Sequence, residues 1–183
     1  MSLTRSTVCD FGQKAVDFAL EDPEGELWTL EKCRGERGTL VMFICNHCPY
    51  VKAIIERLVV DTRELKDLGV GSVAIMANDW DQYPEDRPEC MASLAAEMSF
   101  PFPYVIDRTQ EVAKAYGAVC TPDFFGYNAT GELQYRGRLD AGGAGPRPED
   151  GERELFAAMV QVADTGRGPQ VQHASMGCSI KWR

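Results

Sequence analysis

The run Thr39-Leu40-Val41-Met42-Phe43-Ile44 carries no polar alternation, the pattern of a strand covered on both faces of a parallel sheet. A second run of the same kind, Ser72-Val73-Ala74-Ile75-Met76-Ala77, follows after one long amphipathic segment. From position 49 to 68 that segment places Val51, Ile54, Ile55, Leu58, Thr62 and Leu65 on one side. Lys52, Glu56, Arg57, Asp61 and Glu64 occupy the other faces, and Gly69 stands where a C-cap glycine belongs. Strand, helix and strand in this order form a βαβ unit, which is parallel and right-handed. An α/β fold is therefore expected, with any site at the carboxyl edge of the sheet.

The remaining segments fit around that unit. Residues 18–20 and 26–30 read as a hairpin about Asp22-Pro23-Glu24-Gly25, and a polar loop spans 78–87. Pro88 opens a helix with Met91, Leu94, Ala95 and Met98 on one stripe, read as core. Residues 102–106 form a short strand, and 110–116 a helix stopped by Gly117. Residues 123–127 and 132–136 flank the turn Asn128-Ala129-Thr130-Gly131. A Gly/Pro-rich loop over 141–151 precedes a last helix from about 152 to 164, and the tail from about 165 shows no periodicity. One domain over 1–183 is expected, a central mixed β-sheet flanked by helices with an N-terminal β-hairpin extension.

Composition excludes several function classes. No apolar run approaches the roughly 20 residues that span a bilayer, so no membrane partner is expected. A net charge of -9 repels nucleic acid and anionic lipid, and no basic stripe offsets it. The opening Met1-Ser2-Leu3-Thr4-Arg5-Ser6 has no apolar stretch of the secretory kind, which points to a cytoplasmic location. The seven cysteines, 9, 33, 45, 48, 90, 120 and 178, are scattered and odd in number, so a disulfide framework fits badly. Cys9, Cys33 and Cys90 read as small hydrophobes or surface thiols.

The chemistry gathers at Cys45-Asn46-His47-Cys48, between the first strand and its helix. Two thiols two residues apart can close a disulfide. Pro49 suits the first helical position because that amide has no intrahelical partner, so Cys48 falls at or beside the N-cap. The sulfur then lies over free backbone N-H groups and the positive end of the helix dipole. Thiols so placed titrate at roughly 3.5 to 7.5 instead of about 8.5. Cys48 is the expected nucleophile, Cys45 its resolving thiol, and His47 a proton shuttle or a source of positive charge.

Four stretches then carry a resemblance over most of the chain: Phe43-Ile44-Cys45-Asn46-His47-Cys48-Pro49-Tyr50-Val51, Tyr83-Pro84-Glu85-Asp86, Ala118-Val119-Cys120-Thr121-Pro122-Asp123-Phe124-Phe125, and Met176-Gly177-Cys178-Ser179-Ile180-Lys181-Trp182. With these the chain resembles the thioredoxin-like superfamily, in its redoxin and peroxiredoxin-like (AhpC/TSA-related) branch. The resemblance implies a thioredoxin-like fold, thiol redox activity and a cis proline at Pro122. Thr121 and Pro122 would border the reactive sulfur and offer a backbone edge to an extended substrate. No cofactor or metal is implied, and the partners expected are a thiol, disulfide or peroxide substrate and a reducing partner; the oligomeric state is unassigned.

Two departures separate the subtypes. Peroxiredoxins place Thr or Ser three residues before the reactive cysteine, where this chain has Cys45, and an Arg before the strand that follows, where it has Thr121-Pro122. Arg136 or Arg138 would have to reach the site from the next strand. Aligned on thioredoxin, Cys48 matches the first cysteine and Val51 the second, so the pair has moved upstream by three positions. These features favour dithiol exchange. The alternatives are a peroxidase using Cys48, resolved by Cys45 or Cys120, and a zinc-binding or sensor module built on Cys45, Cys48 and Cys120, with His47 as an optional fourth ligand. Cys120 is also a candidate secondary thiol or structural filler, and Cys178 is read as anchoring the tail.

Overall fold

The computed structural model describes residues 3–183. From the N-terminus the chain forms β1 (Leu3–Arg5), then the hairpin of β2 (Ala19–Glu21) and β3 (Leu27–Thr29), and the short helix α1 (Leu30–Cys33). The expected βαβ unit follows as β4 (Gly38–Phe43), α2 (Pro49–Asp67) and β5 (Val70–Met76). A 3₁₀ turn at Pro84–Asp86 leads to α3 (Pro88–Glu97), β6 (Tyr104–Ile106) and α4 (Glu111–Tyr116). The last elements are β7 (Cys120–Thr121), β8 (Asp123–Asn128), β9 (Leu133–Tyr135), α5 (Glu154–Thr165) and β10 (Met176–Ser179).

The central sheet has the order β6-β5-β4-β8-β9. β4 is parallel to β5 and β5 to β6, while β8 runs antiparallel to β4 and β9 to β8, so the sheet is mixed. Every residue of β4 is buried, as its unbroken apolar run requires. Its side chains alternate between two cores. Leu40 and Met42, with Ile44 just beyond the strand, pack with Ile54, Leu58, Leu155 and Met159 from α2 and α5. Val41 and Phe43 pack on the opposite face with Ala113 and Tyr116 of α4 and with Phe18. Phe43, Tyr116 and Phe125 meet edge to face, with centroids 5.6 to 5.8 Å apart. Gly69, at φ +81°, ends α2 in the left-handed conformation that a glycine there permits.

Two elements depart from the sequence reading. The tail is not wholly irregular: β10 lies within it and is the middle strand of a second sheet, β1-β10-β7, antiparallel on both sides. Met-Gly-Cys-Ser is too short and small to show a period, and its pairing is set by residues far away in the chain. Asp61 was expected on a solvated face of α2, yet it is buried and paired with Arg153 at 2.7 Å. A carboxylate on a helix reads as polar until a distant guanidinium covers it.

Candidate active site

α2 begins at the carboxyl end of β4, with Cys48 as its N-cap and Pro49 in the first turn. Cys45 follows β4 by two residues and, like Cys48, is entirely buried at 0% exposure. Thr121 joins the pair. Its Oγ1 lies 3.3 Å from Cys45 Sγ, and its carbonyl oxygen lies 3.1 Å from Cys48 Sγ. The Thr121-Pro122 peptide is cis, as the resemblance implies.

The two thiols are driven apart in acidity. Cys48 is lowered to about 4, first by the hydrogen bond from Cys45 and against the desolvation of burial; the Cys178 amide, the Val51 amide and the Cys178 side chain add to it. Val51 N-H belongs to the first turn of α2, so the helix N-terminus favours the thiolate as its sequence position predicts. The Cys48 side chain makes no capping hydrogen bond itself, so the N-terminus acts as a field more than as a cap. Cys45 moves well above the ordinary thiol range, through burial first and then through its role as donor to Cys48 and the nearby charge of Asp86. One thiolate and one thiol thus share the space of the dithiol.

Asp86 is the residue that reading the sequence missed. It comes from the 3₁₀ turn, forty residues away from the motif, and is 0% exposed. Its Oδ1 accepts the amides of Asn46 at 2.8 Å and His47 at 3.0 Å. Its Oδ2 meets His47 Nδ1 at 2.5 Å and the Asn78 side-chain amide at 2.9 Å. Burial alone would raise this carboxyl, but the bonds from His47 and Asn78 prevail and hold it below the usual range. An ionised carboxylate can only accept, so Nδ1 of His47 bears the proton in that contact. His47 is buried, stacks on Tyr83 with centroids 4.8 Å apart, and leaves Nε2 without a partner. It is therefore no solvent-facing loop histidine. Cys45 Sγ stands 3.8 Å from the same Nδ1, which links the resolving thiol to the Asp86 carboxylate. Tyr83-Pro84-Glu85-Asp86 signalled the turn in the sequence, but nothing local marked Asp86 as the buried member.

The other expected site residues fall as follows. Cys120 is buried with its thiol directed at the Pro122 carbonyl, 3.6 Å away, and burial pushes its pKa far up. Besides Cys45, the thiol that hydrogen-bonds Cys48 is Cys178. The candidate metal group among the described residues is Cys45, His47 and Asp86, with ligand atoms within 4.8 Å of one another, and it does not include Cys120. A cation there would have to displace the Asp86-His47 bond. Arg136 is committed to Asp123 at 3.1 Å and to the Gly117 carbonyl at 2.7 Å, and Arg138 to Glu154 at 2.7 Å. Thr121 does not present an open edge: it pairs with Cys178 across β7 and β10, because the chain's own strand satisfies the backbone groups that an edge would expose. Beside it, a cavity of about 670 Å³ is lined by Tyr50, Ile54, Pro122, Arg138, His173 and Met176, among others.

A profile of the AhpC/TSA family matches residues 11–139. The chain is 31% identical over 123 residues to the thiol-disulfide oxidoreductase ResA of Halalkalibacterium halodurans, covering 67% of this chain and 65% of that protein. It thus spans about two thirds of the length of this curated relative. Among solved structures, an uncharacterized conserved protein from Geobacillus kaustophilus superposes with a TM-score of 0.90 at 42% identity, covering 100% of this chain and 97% of that one. The thioredoxin domain of a thiol-disulfide oxidoreductase from Bacteroides vulgatus matches at TM-score 0.58 and 19% identity, over 72% of this chain and 89% of that one, which shows the shared thioredoxin-like fold. The family match takes in the dithiol, Asp86 and the cis proline while β10 lies beyond it, and the chain belongs to the AhpC/TSA family.

Proposed function

We propose that this protein is a thiol-disulfide oxidoreductase in which Cys48 is the nucleophile and Cys45 the resolving thiol. The observation that carries the reading is the split in acidity between two buried, hydrogen-bonded thiols at a helix N-terminus. In the first step the Cys48 thiolate attacks a substrate disulfide; a Cys48-substrate bond forms, the substrate S-S bond breaks and one thiolate leaves. In the second, Cys45 gives up its proton and attacks Cys48 Sγ, releasing the second substrate thiolate and closing the Cys45-Cys48 disulfide. Two electrons pass from the pair to the substrate, and a reducing partner restores the dithiol.

The high pKa of Cys45 makes its deprotonation the step that needs help. The proton of Cys45 passes to the departing substrate thiolate, while Asp86 orients the His47 ring so that its Nδ1-H, 3.8 Å from Cys45 Sγ, stabilises the thiolate as it forms. The cavity beside Pro122 gives a disulfide-bearing substrate a place next to α2, through Tyr50 and Ile54. Peroxide reduction would call for a guanidinium on the nucleophile, and both candidate arginines are held by carboxylates elsewhere.

The test is turnover of glutathione disulfide with dithiothreitol as reductant. Cys48→Ser is expected to fall to the uncatalysed rate, while Cys45→Ser retains the first step and still forms a glutathione adduct on Cys48 as its first product. Turnover by Cys48→Ser at the wild-type rate would refute the assignment.

A further inference from the structure

Both reactive thiols are closed off from solvent, and β10 lies against them. Cys178 is the register partner of Thr121, the residue whose carbonyl oxygen lies 3.1 Å from Cys48 Sγ, and it is itself only 3% exposed. Gly177 permits this approach: a Cβ there would overlap the Thr121 carbonyl oxygen. The strand is fixed on both sides of Cys178. Ser175 Oγ donates to the Pro122 carbonyl at 2.6 Å. Lys181 N donates to Asn78 Oδ1 at 2.8 Å, and Asn78 is the same side chain that holds Asp86. Ile180 N also reaches the Val119 carbonyl at 3.2 Å.

A tail anchored by so many backbone and hydroxyl bonds does not need a thiol to hold it. The Cys178 thiol hydrogen-bonds Cys48, and its amide bonds the same sulfur. The site therefore contains three sulfurs, with Cys48 in hydrogen-bond contact with the other two. We propose that Cys178 is a third redox thiol of this site, exchanging with Cys45 for the disulfide to Cys48. This rests on the oxidoreductase reading above.

The exchange needs no outside oxidant. Starting from the oxidised Cys45-Cys48 pair, the Cys178 thiolate attacks Cys48 Sγ, the bond to Cys45 breaks, and Cys45 takes up the proton that Cys178 released. One disulfide replaces another. In the reduced protein Cys178 is raised to about 11, by burial first and then by its hydrogen bond to Cys48 and the charge on that sulfur. Oxidation of Cys48 removes the last two causes and leaves burial opposed by Lys181, so the Cys178 thiolate becomes easier to form. The two disulfides have different mechanical results. Cys48-Cys178 ties β10 to the start of α2 and keeps the β7 edge covered; Cys45-Cys48 leaves β10 held by hydrogen bonds alone, so that an extended substrate can displace it.

Trypsin separates the states, because Cys45 and Cys48 share peptide 38–52 while Cys178 lies in peptide 168–181. After oxidation with glutathione disulfide and acid quenching, non-reducing mass spectrometry of wild-type protein should show the internal disulfide and also the 38–52 to 168–181 cross-link. In Cys45→Ser the cross-link should dominate. The glutathione adduct on Cys48 should disappear about tenfold or more faster than in Cys45→Ser/Cys178→Ser, the advantage of a neighbouring thiol. Equal adduct lifetimes in the two variants, or no cross-link in either wild type or Cys45→Ser, would overturn the proposal. Failure of the parent reading shows differently, as loss of the internal disulfide and of wild-type turnover, so the two can be told apart.

Discussion

Two buried carboxylates near the active site have acidities shifted in opposite directions. Asp86 and Asp123 are both 0% exposed, and each faces a positively charged or chargeable side chain. Asp86 receives four hydrogen bonds and is held below the usual carboxylate range. Asp123 has a full guanidinium beside it, yet burial lifts it to about 6 against the pull of Arg136. Its Oδ1 has no partner, and neither does Nε of Arg136. The number of aimed donors, not the presence of a formal opposite charge, decides which way each acid is shifted. Placing the well-supplied carboxylate beside Cys45 gives the resolving thiol a fixed negative charge. Asp123 and Arg136 instead brace the start of β8, where Arg136 also lies over Phe125, 4.3 Å from its ring centre.

The largest effect that bears on this contrast should come from Arg136→Ala. It strips a poorly supplied carboxylate of its one charge partner, and chemical denaturation at neutral pH should show a loss of about 3–5 kcal/mol. A loss below about 1 kcal/mol would mean that Asp123 is already neutral there. Asp86→Asn should cost less, about 1–3 kcal/mol, because the amide keeps an oxygen for the Asn46 and His47 amides but turns a donor toward Asn78 or His47. It should also slow the closing of the Cys45-Cys48 disulfide while leaving the first attack by Cys48 intact. Single-turnover kinetics separate these steps, and an equal slowing of both would remove Asp86 from the resolving step. Asp123→Asn should be smallest, within about 1 kcal/mol at neutral pH, since a neutral isostere no longer has to ionise in a dry site.

The pH dependence of these two Asn variants sharpens the comparison further. The folded pKa of Asp123, about 6, stands above its unfolded value, so its contribution favours folding at low pH and is lost as pH rises. The window runs from about pH 4 to the folded pKa. Asp86 has the reverse sign: its folded pKa is depressed, so its contribution is present above about pH 4 and is lost as pH falls through the folded value. Stability measured from pH 3 to 7 should therefore rise toward acid for wild type relative to Asp123→Asn. It should fall toward acid relative to Asp86→Asn. Parallel trends would break the donor-count explanation.

Several parts of this molecule were legible in the chain because their determinants are local. The run 39–44 became β4, the stripe of Val51, Ile54, Ile55, Leu58 and Leu65 became the buried side of α2, and Pro49 set Cys48 at the N-cap. Asn128 accepts from Thr130 N and Glu132 N, and Gly131, at φ +74°, completes the turn that its sequence announced. Such signals lie within a few residues of the structure they specify, since strand alternation, helix periodicity, caps and turns are short-range.

By itself, then, the sequence determined the βαβ unit, the placement of the dithiol at a helix N-terminus and, through its resemblance to a family, the thioredoxin-like sheet around them. Only the tertiary structure decided which groups surround those thiols. It brought Asp86 under His47 and Cys45, took Cys120 away toward the Pro122 carbonyl, covered Thr121 with β10 and set Cys178 on Cys48. The reason is sequence separation: Cys48 and Cys178 lie far apart in the chain, and their contact exists only because β10 pairs with β7 beside the start of α2.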